Sequence, residues 1–92
     1  MLQTIAIHDV RPEHVDAFRA FMGKVEAAVT GAPGLIEIAS WREVQTGRLV
    51  AVARWESQAA FEAAAPAIMG LSGERDPAWT DAPDDLLVLA AA

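Results

Sequence analysis

The stretch Leu35–Trp55, LIEIASWREVQTGRLVAVARW, holds two runs of residues that suit strands, Leu35 to Val44 and Arg48 to Trp55, parted only by Gln45-Thr46-Gly47. A link that short leaves room for a hairpin and nothing larger, so the two runs pair antiparallel. Both sides of this hairpin are apolar: Val50 and Val52 alternate with Ala51 and Ala53, and Ile36 and Ile38 with Leu35 and Ala39. The register decides which side Trp41 takes. A turn centred on Thr46 pairs Trp41 with Ala51, whereas a two-residue turn shifts the pairing by one and sends the indole to the opposite face.

Upstream, Leu2 to Val10 sets Ile5 and Ile7 on one side and Leu2, Thr4, Ala6 and His8 on the other, with neither side strongly polar. This predicts a central strand covered on both faces. Pro12 suits a first helical position, and Glu13 and Asp16 place negative charge at the positive end of the helix dipole. The helix runs to about Thr30 on the stripe Val15, Phe18, Met22, Val25 and Val29, and Gly31 with the turn Ala32-Pro33-Gly34 stops it. Downstream, Ser57 is an N-cap for a helix through about Met69, built on Phe61, Ala64, Ala65, Ile68 and Met69. Pro66 predicts a kink there, or an end near Ala65 followed by a short turn. Gly70 to Pro83 is a long connection bearing Trp79, either an apolar lid or a loop anchor, and Asp85 to Leu89 closes the chain as a strand.

The order β, α, β, β, α, β with right-handed crossovers puts both helices on one face of a four-stranded antiparallel sheet, an α+β, ferredoxin-like arrangement. Residues 1–92 form one such domain on this reading, since a chain of this length supports one core and not two. The other sheet face is left apolar and bare. Burying it against a second copy, sheet on sheet, gives a closed homodimer.

Composition excludes several classes. A net charge of −6 with seven scattered basic residues argues against nucleic acid and against an anionic membrane surface. No run approaches the roughly 20 apolar residues of a membrane span. The absence of cysteine, and acid where a signal peptide carries base, point to the cytoplasm. His8 and His14 are the side chains suited to base chemistry near neutrality, but they lack metal-ligand spacing, so no metal is expected. His8 leaves its strand opposite Ile5 and Ile7, toward the dimer face or a solvated edge. His14, four residues before Phe18, reaches toward a cavity mouth and is the candidate base, with an acid of the 70–83 loop as its equal. Asp81, Asp84 and Asp85 read as a charge run that keeps a strand end solvated.

The segments HDVRPEHVDAFRAFM, from His8, and APGLIEIASWREVQTGRLVAVARWESQAAFEAA, from Ala32, together with the closing strand, resemble the antibiotic biosynthesis monooxygenase family. The sharpest piece is Trp55-Glu56-Ser57 with Phe61 six residues after the tryptophan, preceded by Pro33-Gly34-Leu35. The resemblance implies a dimeric α/β barrel and oxygenation of a small electron-rich aromatic molecule, a polyketide phenol or quinol, without metal or other cofactor. A haem-degrading branch opens bound haem instead, and a binding module without activity is a further possibility. The resemblance also implies a cavity between helices and sheet walled by Trp55. We assign Phe61, Ile5, Ile7, Phe18, Met22 and Trp79 to the same substrate pocket. The chain departs from the pattern where Ala65 replaces the haem-ligating histidine, Ala51 an asparagine and Phe61 a tyrosine.

Overall fold

The computed structural model describes all residues from Met1 to Ala92. Its strands are β1 (Leu2–His8), β2 (Leu35–Arg42), β3 (Leu49–Trp55) and β4 (Asp85–Ala90), and its helices α1 (Val15–Val29) and α2 (Gln58–Met69). Strand order is β2-β3-β1-β4 with every neighbouring pair antiparallel, so the fold is ferredoxin-like.

Local chemistry accounts for the boundaries. Pro12 opens a 3-10 turn, Pro12–His14, that feeds α1. Ser57 caps α2 by accepting from the Ala60 backbone N–H at 3.1 Å. Gly34 has φ +84°, and a Cβ there would lie 2.5 Å from the Ala60 Cβ, so a side chain fits neither the backbone nor the space. Its carbonyl accepts from Glu56 N–H at 2.8 Å, which locks the start of β2 to the start of α2.

Pro66 neither ends nor breaks α2, which continues to Met69. The backbone bond that proline removes belongs to a turn whose residues Glu62 and Pro66 are both exposed, so water can serve the orphaned carbonyl. The hairpin pairs Trp41 with Val50, which puts the indole on the face away from the helices, 59% exposed. A bulge between Leu35 and Glu37 shifts the register of β2, so that Leu35 and Ile38 both pack into the core while Ile36 is exposed.

The register sorts the sheet. Leu2, Thr4 and His8 of β1 and Leu49, Ala53 and Trp55 of β3 are buried, so the even positions of β1 and the odd positions of β3 face the helices. Two core clusters fill that layer. Leu2, Val29, Ala53, Trp55 and Ala64 form one, and Phe18, Met22 and Leu49 the other. Small residues, Ala6 and Ala51, lie between them on the sheet.

Candidate functional site

On the helix side, β1 and β4 pair Thr4 with Val88 and Ala6 with Leu86. Leu86 and Val88 remain 58% and 46% exposed, so neither helix covers this strip. It is a bare apolar floor at one edge of the helix layer. Continuing the register by one residue brings His8 opposite Asp84, and there the floor ends on charge.

Asp84 Oδ1 lies 3.0 Å from His8 Nδ1. The contact is one of charge and proximity: the enclosed nitrogen has no acceptor in hydrogen-bond geometry, Asp84 included. Arg75 grips the same carboxylate with both terminal nitrogens, Nη2 at 2.8 Å from Oδ1 and Nη1 on Oδ2, and Nη2 also reaches Thr80 Oγ1 at 3.4 Å. Burial pushes the Asp84 carboxyl up, but the hydrogen bonds from Arg75 and then the nearby His8 outweigh it and hold the group below its ordinary value. Phe18, fully buried, ties the cluster to the core: the His8 ring stands 4.7 Å from it and the Arg75 guanidinium 5.0 Å over its face.

The connection between α2 and β4 is pinned across this end of the molecule. Arg11 N–H donates to Trp79 O and Asp81 N–H to Asp9 O. Arg11 also pairs with Asp81 at 2.7 Å, and Lys24 with Glu74 at 2.7 Å. Two 3-10 turns, Ser72–Glu74 and Pro77–Trp79, shorten the segment, and Trp79 packs edge-on against Phe18 and Phe21 at 6.1 and 6.4 Å. A cavity of about 430 Å³ opens within it, lined by Ser72, Arg75, Pro77, Thr80, Asp81, Ala82 and Pro83. A second, of about 370 Å³, lies between α1 and β2 at Arg19, Glu26 and Ser40.

The residues expected to share one pocket are divided. Trp55 is a core residue, 1% exposed, its Nε1 donating to Thr4 Oγ1 at 3.2 Å and its ring 5.7 Å from Phe61. It does not line either of the cavities just described. Phe18, Met22 and Trp79 gather in the other cluster, beside His8. Ile5 and Ile7 belong to neither. They occupy odd positions of β1 and face away from the helices, because the strand's alternation commits that side to Leu2, Thr4 and His8. The same parity corrects His8: it is buried in the helix layer and not at the open face or a solvated edge. His14 is half-buried at the end of its 3-10 turn, and its imidazole makes no hydrogen bond. No group of three or more metal-ligating side chains converges anywhere in the chain. No helix is long and apolar enough to cross a membrane.

The site was hidden because His8 and Asp84 are 76 residues apart and each looks ordinary in its own segment. The signal that finds them is the even-position burial of β1 combined with β1–β4 pairing.

The whole fold recurs in solved structures. Rv0793 from Mycobacterium tuberculosis superposes with a TM-score of 0.82 at 22% identity, covering 99% of this chain and 94% of that one. SnoaB, a cofactor-independent oxygenase from Streptomyces nogalater, gives 0.79 at 18%, covering 98% and 91%. The haem degrader MhuD from Mycobacterium tuberculosis, with two haems in its active site, gives 0.76 at 26%, covering 99% and 95%. No curated protein matches the sequence. The profile described as antibiotic biosynthesis monooxygenase matches residues 1–65, which takes in β1, α1, the β2–β3 hairpin and the first part of α2. With the sequence match spanning most of the chain and the fold agreeing over all of it, this protein belongs to the antibiotic biosynthesis monooxygenase family.

Proposed function

We propose that this chain oxygenates a small electron-rich aromatic molecule, a phenol or quinol of polyketide type, with dioxygen and no other cofactor. The observation that carries the reading is the uncovered apolar strip of Ala6, Leu86 and Val88 ending on the His8–Asp84 pair. A planar ring lies flat on such a floor with its hydroxyl at the polar end. Family membership and the fold shared with SnoaB support it.

The chemistry asks little of the protein. Loss of the phenolic proton gives a phenolate with carbanion character at the ring carbons ortho and para to oxygen, and the carbon that reacts is one that bears a hydrogen, ortho in a hydroquinone. That anion passes one electron to dioxygen, and the resulting pair combines to form a carbon–oxygen bond. The peroxide takes up a proton, its O–O bond breaks as water leaves, and the ring carbon loses its hydrogen as a proton. One phenol and one dioxygen become one quinone and one water. The apolar floor keeps water from one face of the charged and radical species between these steps.

A second reading, haem as the substrate, is favoured by the 26% identity to haem-bound MhuD. Ala65 stands where the resemblance places the iron ligand, so iron would need His8 or His14, and of the two His8 has a carboxylate beside its other ring nitrogen, the usual support for such a ligand. Oxygen uptake with a hydroquinone and no additive separates the readings from each other. Uptake supports the first; a Soret shift on haem titration without uptake supports the second. Neither signal leaves a non-enzymatic binding module.

We further propose that residues 1–92 act as one domain in the cytoplasm, as a homodimer joined through the open sheet face. That face presents Ile5, Ile7, Ala39, Trp41, Val50, Val52, Leu87 and Leu89. Trp41, Leu87 and Leu89 are 59%, 45% and 44% exposed, and a bare apolar layer of this breadth calls for a partner.

A further inference from the structure

We infer that His8 is the proton acceptor of this site, with Asp84 as the residue that orients it and Arg75 as the residue that holds Asp84. The inference rests on the oxygenase reading for its substrate, a phenol, and on geometry for its residues.

A carboxylate accepts and does not donate, so the His8 nitrogen facing Asp84 carries the ring proton. That assigns the neutral imidazole a proton on Nδ1 and a lone pair on Nε2. Nδ1 is enclosed; Nε2 makes no hydrogen bond within the chain and is not among the enclosed unpaired atoms, so solvent or a substrate reaches it. A buried ring with one nitrogen 3.0 Å from a carboxylate and the other open is arranged to take a proton, the contact needing only a small turn of the ring to become a hydrogen bond. The ring cannot turn freely, because Phe18 packs at 4.7 Å and Leu49 is its neighbour across β3.

Arg75 gives the arrangement its rigidity. Its two bonds to Asp84 fix the plane of the carboxylate, and its stacking on Phe18 ties that plane to the core. Charge is balanced before and after transfer. Arg75 and Asp84 cancel when His8 is neutral, and on taking the phenolic proton His8 becomes an imidazolium beside both Asp84 and the new phenolate. The remaining charges nearby are Asp9 and Asp85, the sequence neighbours of His8 and Asp84, which act on Arg48 of the hairpin, and the Arg11–Asp81 pair on the adjoining connection.

His14 lacks every one of these features. No carboxylate faces it, and it stands before α1 and not on the sheet floor.

Three measurements on the intact protein test the inference. Nitrogen-15 spectra of the histidine rings, at a pH where His8 is neutral, should show the proton on Nδ1; a proton on Nε2 overturns the assignment. In the Asp84→Asn protein the carboxamide no longer enforces that tautomer, so the ring proton should move toward Nε2 and kcat should fall with KM little changed. A fall confined to folding, with the tautomer and the pH–rate profile unmoved, reduces Asp84 to a structural role and overturns its part. His8→Asn keeps an N–H toward Asp84 but removes the accepting nitrogen. Oxygen uptake with a hydroquinone should then drop by roughly 100-fold or more, and equal turnover overturns the inference.

Failure of the oxygenase reading shows separately. If the wild type takes up no oxygen, 4-nitrophenol serves as the probe. Binding to the wild type should shift its absorbance toward the phenolate form and binding to His8→Asn should not, while an identical response in the two proteins overturns the base assignment.

Discussion

Asp84 is held below its ordinary carboxylate value because the hydrogen bonds from Arg75 and then the nearby His8 overcome burial, which acts the other way. A carboxyl whose pKa is lower folded than unfolded binds fewer protons in the native state, so its contribution is complete above about pH 4 and is lost as the pH falls through the folded value. Replacing Arg75 by methionine removes the partner and leaves burial unopposed. We expect a loss of about 1–2 kcal/mol near neutrality, the range for a partly exposed charge-assisted bond. The gap should narrow as the pH falls below the ordinary carboxylate value and toward the lowered folded value, where Asp84 in the wild type also takes a proton. It should not close, since Arg75 still stacks on Phe18. Urea unfolding of both proteins from neutral to acid pH reads this directly, and a gap that stays constant would mean the ion pair does not hold the connection to β4. None of this was visible residue by residue. Asp84 sits in a run with Asp81 and Asp85 that reads as solvated charge, and only the pairing of β4 with β1 separates it from them.

The elements were far more legible than the side chains that use them. A three-residue link forces a hairpin whatever the flanking residues do, and Ser57 and Pro12 mark helix starts through bonds local in sequence. Facing is a different matter, because β1 is apolar on both sides and its alternation is compatible with either orientation. The helix layer fell to Thr4 and His8, which find partners there in the Trp55 indole and the Asp84 carboxylate, while Ile5 and Ile7 took the open face. The bulge at Leu35–Glu37 lay equally beyond the pattern. Pro66 shows the converse, a local rule overridden by its surroundings. It keeps helical geometry at the ninth position of a 12-residue helix, with Gly70 N–H still bonded to its carbonyl at 2.9 Å. Pro66→Ala restores one backbone bond at the price of a more flexible unfolded chain, and a net gain of about 1–2 kcal/mol is expected. A urea midpoint that is unchanged or lower would show that α2 has already relaxed around the ring.

At the scale of the whole molecule, the sheet is covered unevenly. Helices shield β3 and most of β1, while β4 is exposed along its entire length and the far face carries a row of apolar side chains. Arg54 adds a polar argument: it shares the open face with Val50 and Val52, and its Nε is enclosed yet bonded to nothing in the chain. An enclosed donor without an acceptor costs roughly 1–3 kcal/mol, and a second copy laid on this face both covers the apolar row and can bring that acceptor. The hairpin register makes Trp41 the point to test, since it stands on this face and away from the helix layer. Trp41→Glu places a carboxylate where association removes water, and a charge buried there without a partner opposes dimer formation while leaving the isolated subunit's core untouched. Sedimentation at micromolar concentration should therefore find the wild type as a dimer and Trp41→Glu as a monomer with an unaltered far-ultraviolet spectrum. A wild type that sediments as a monomer would leave Ile5, Ile7, Val50 and Val52 facing water with no physical reason for their choice, and the proposed sheet-on-sheet assembly would fall with it.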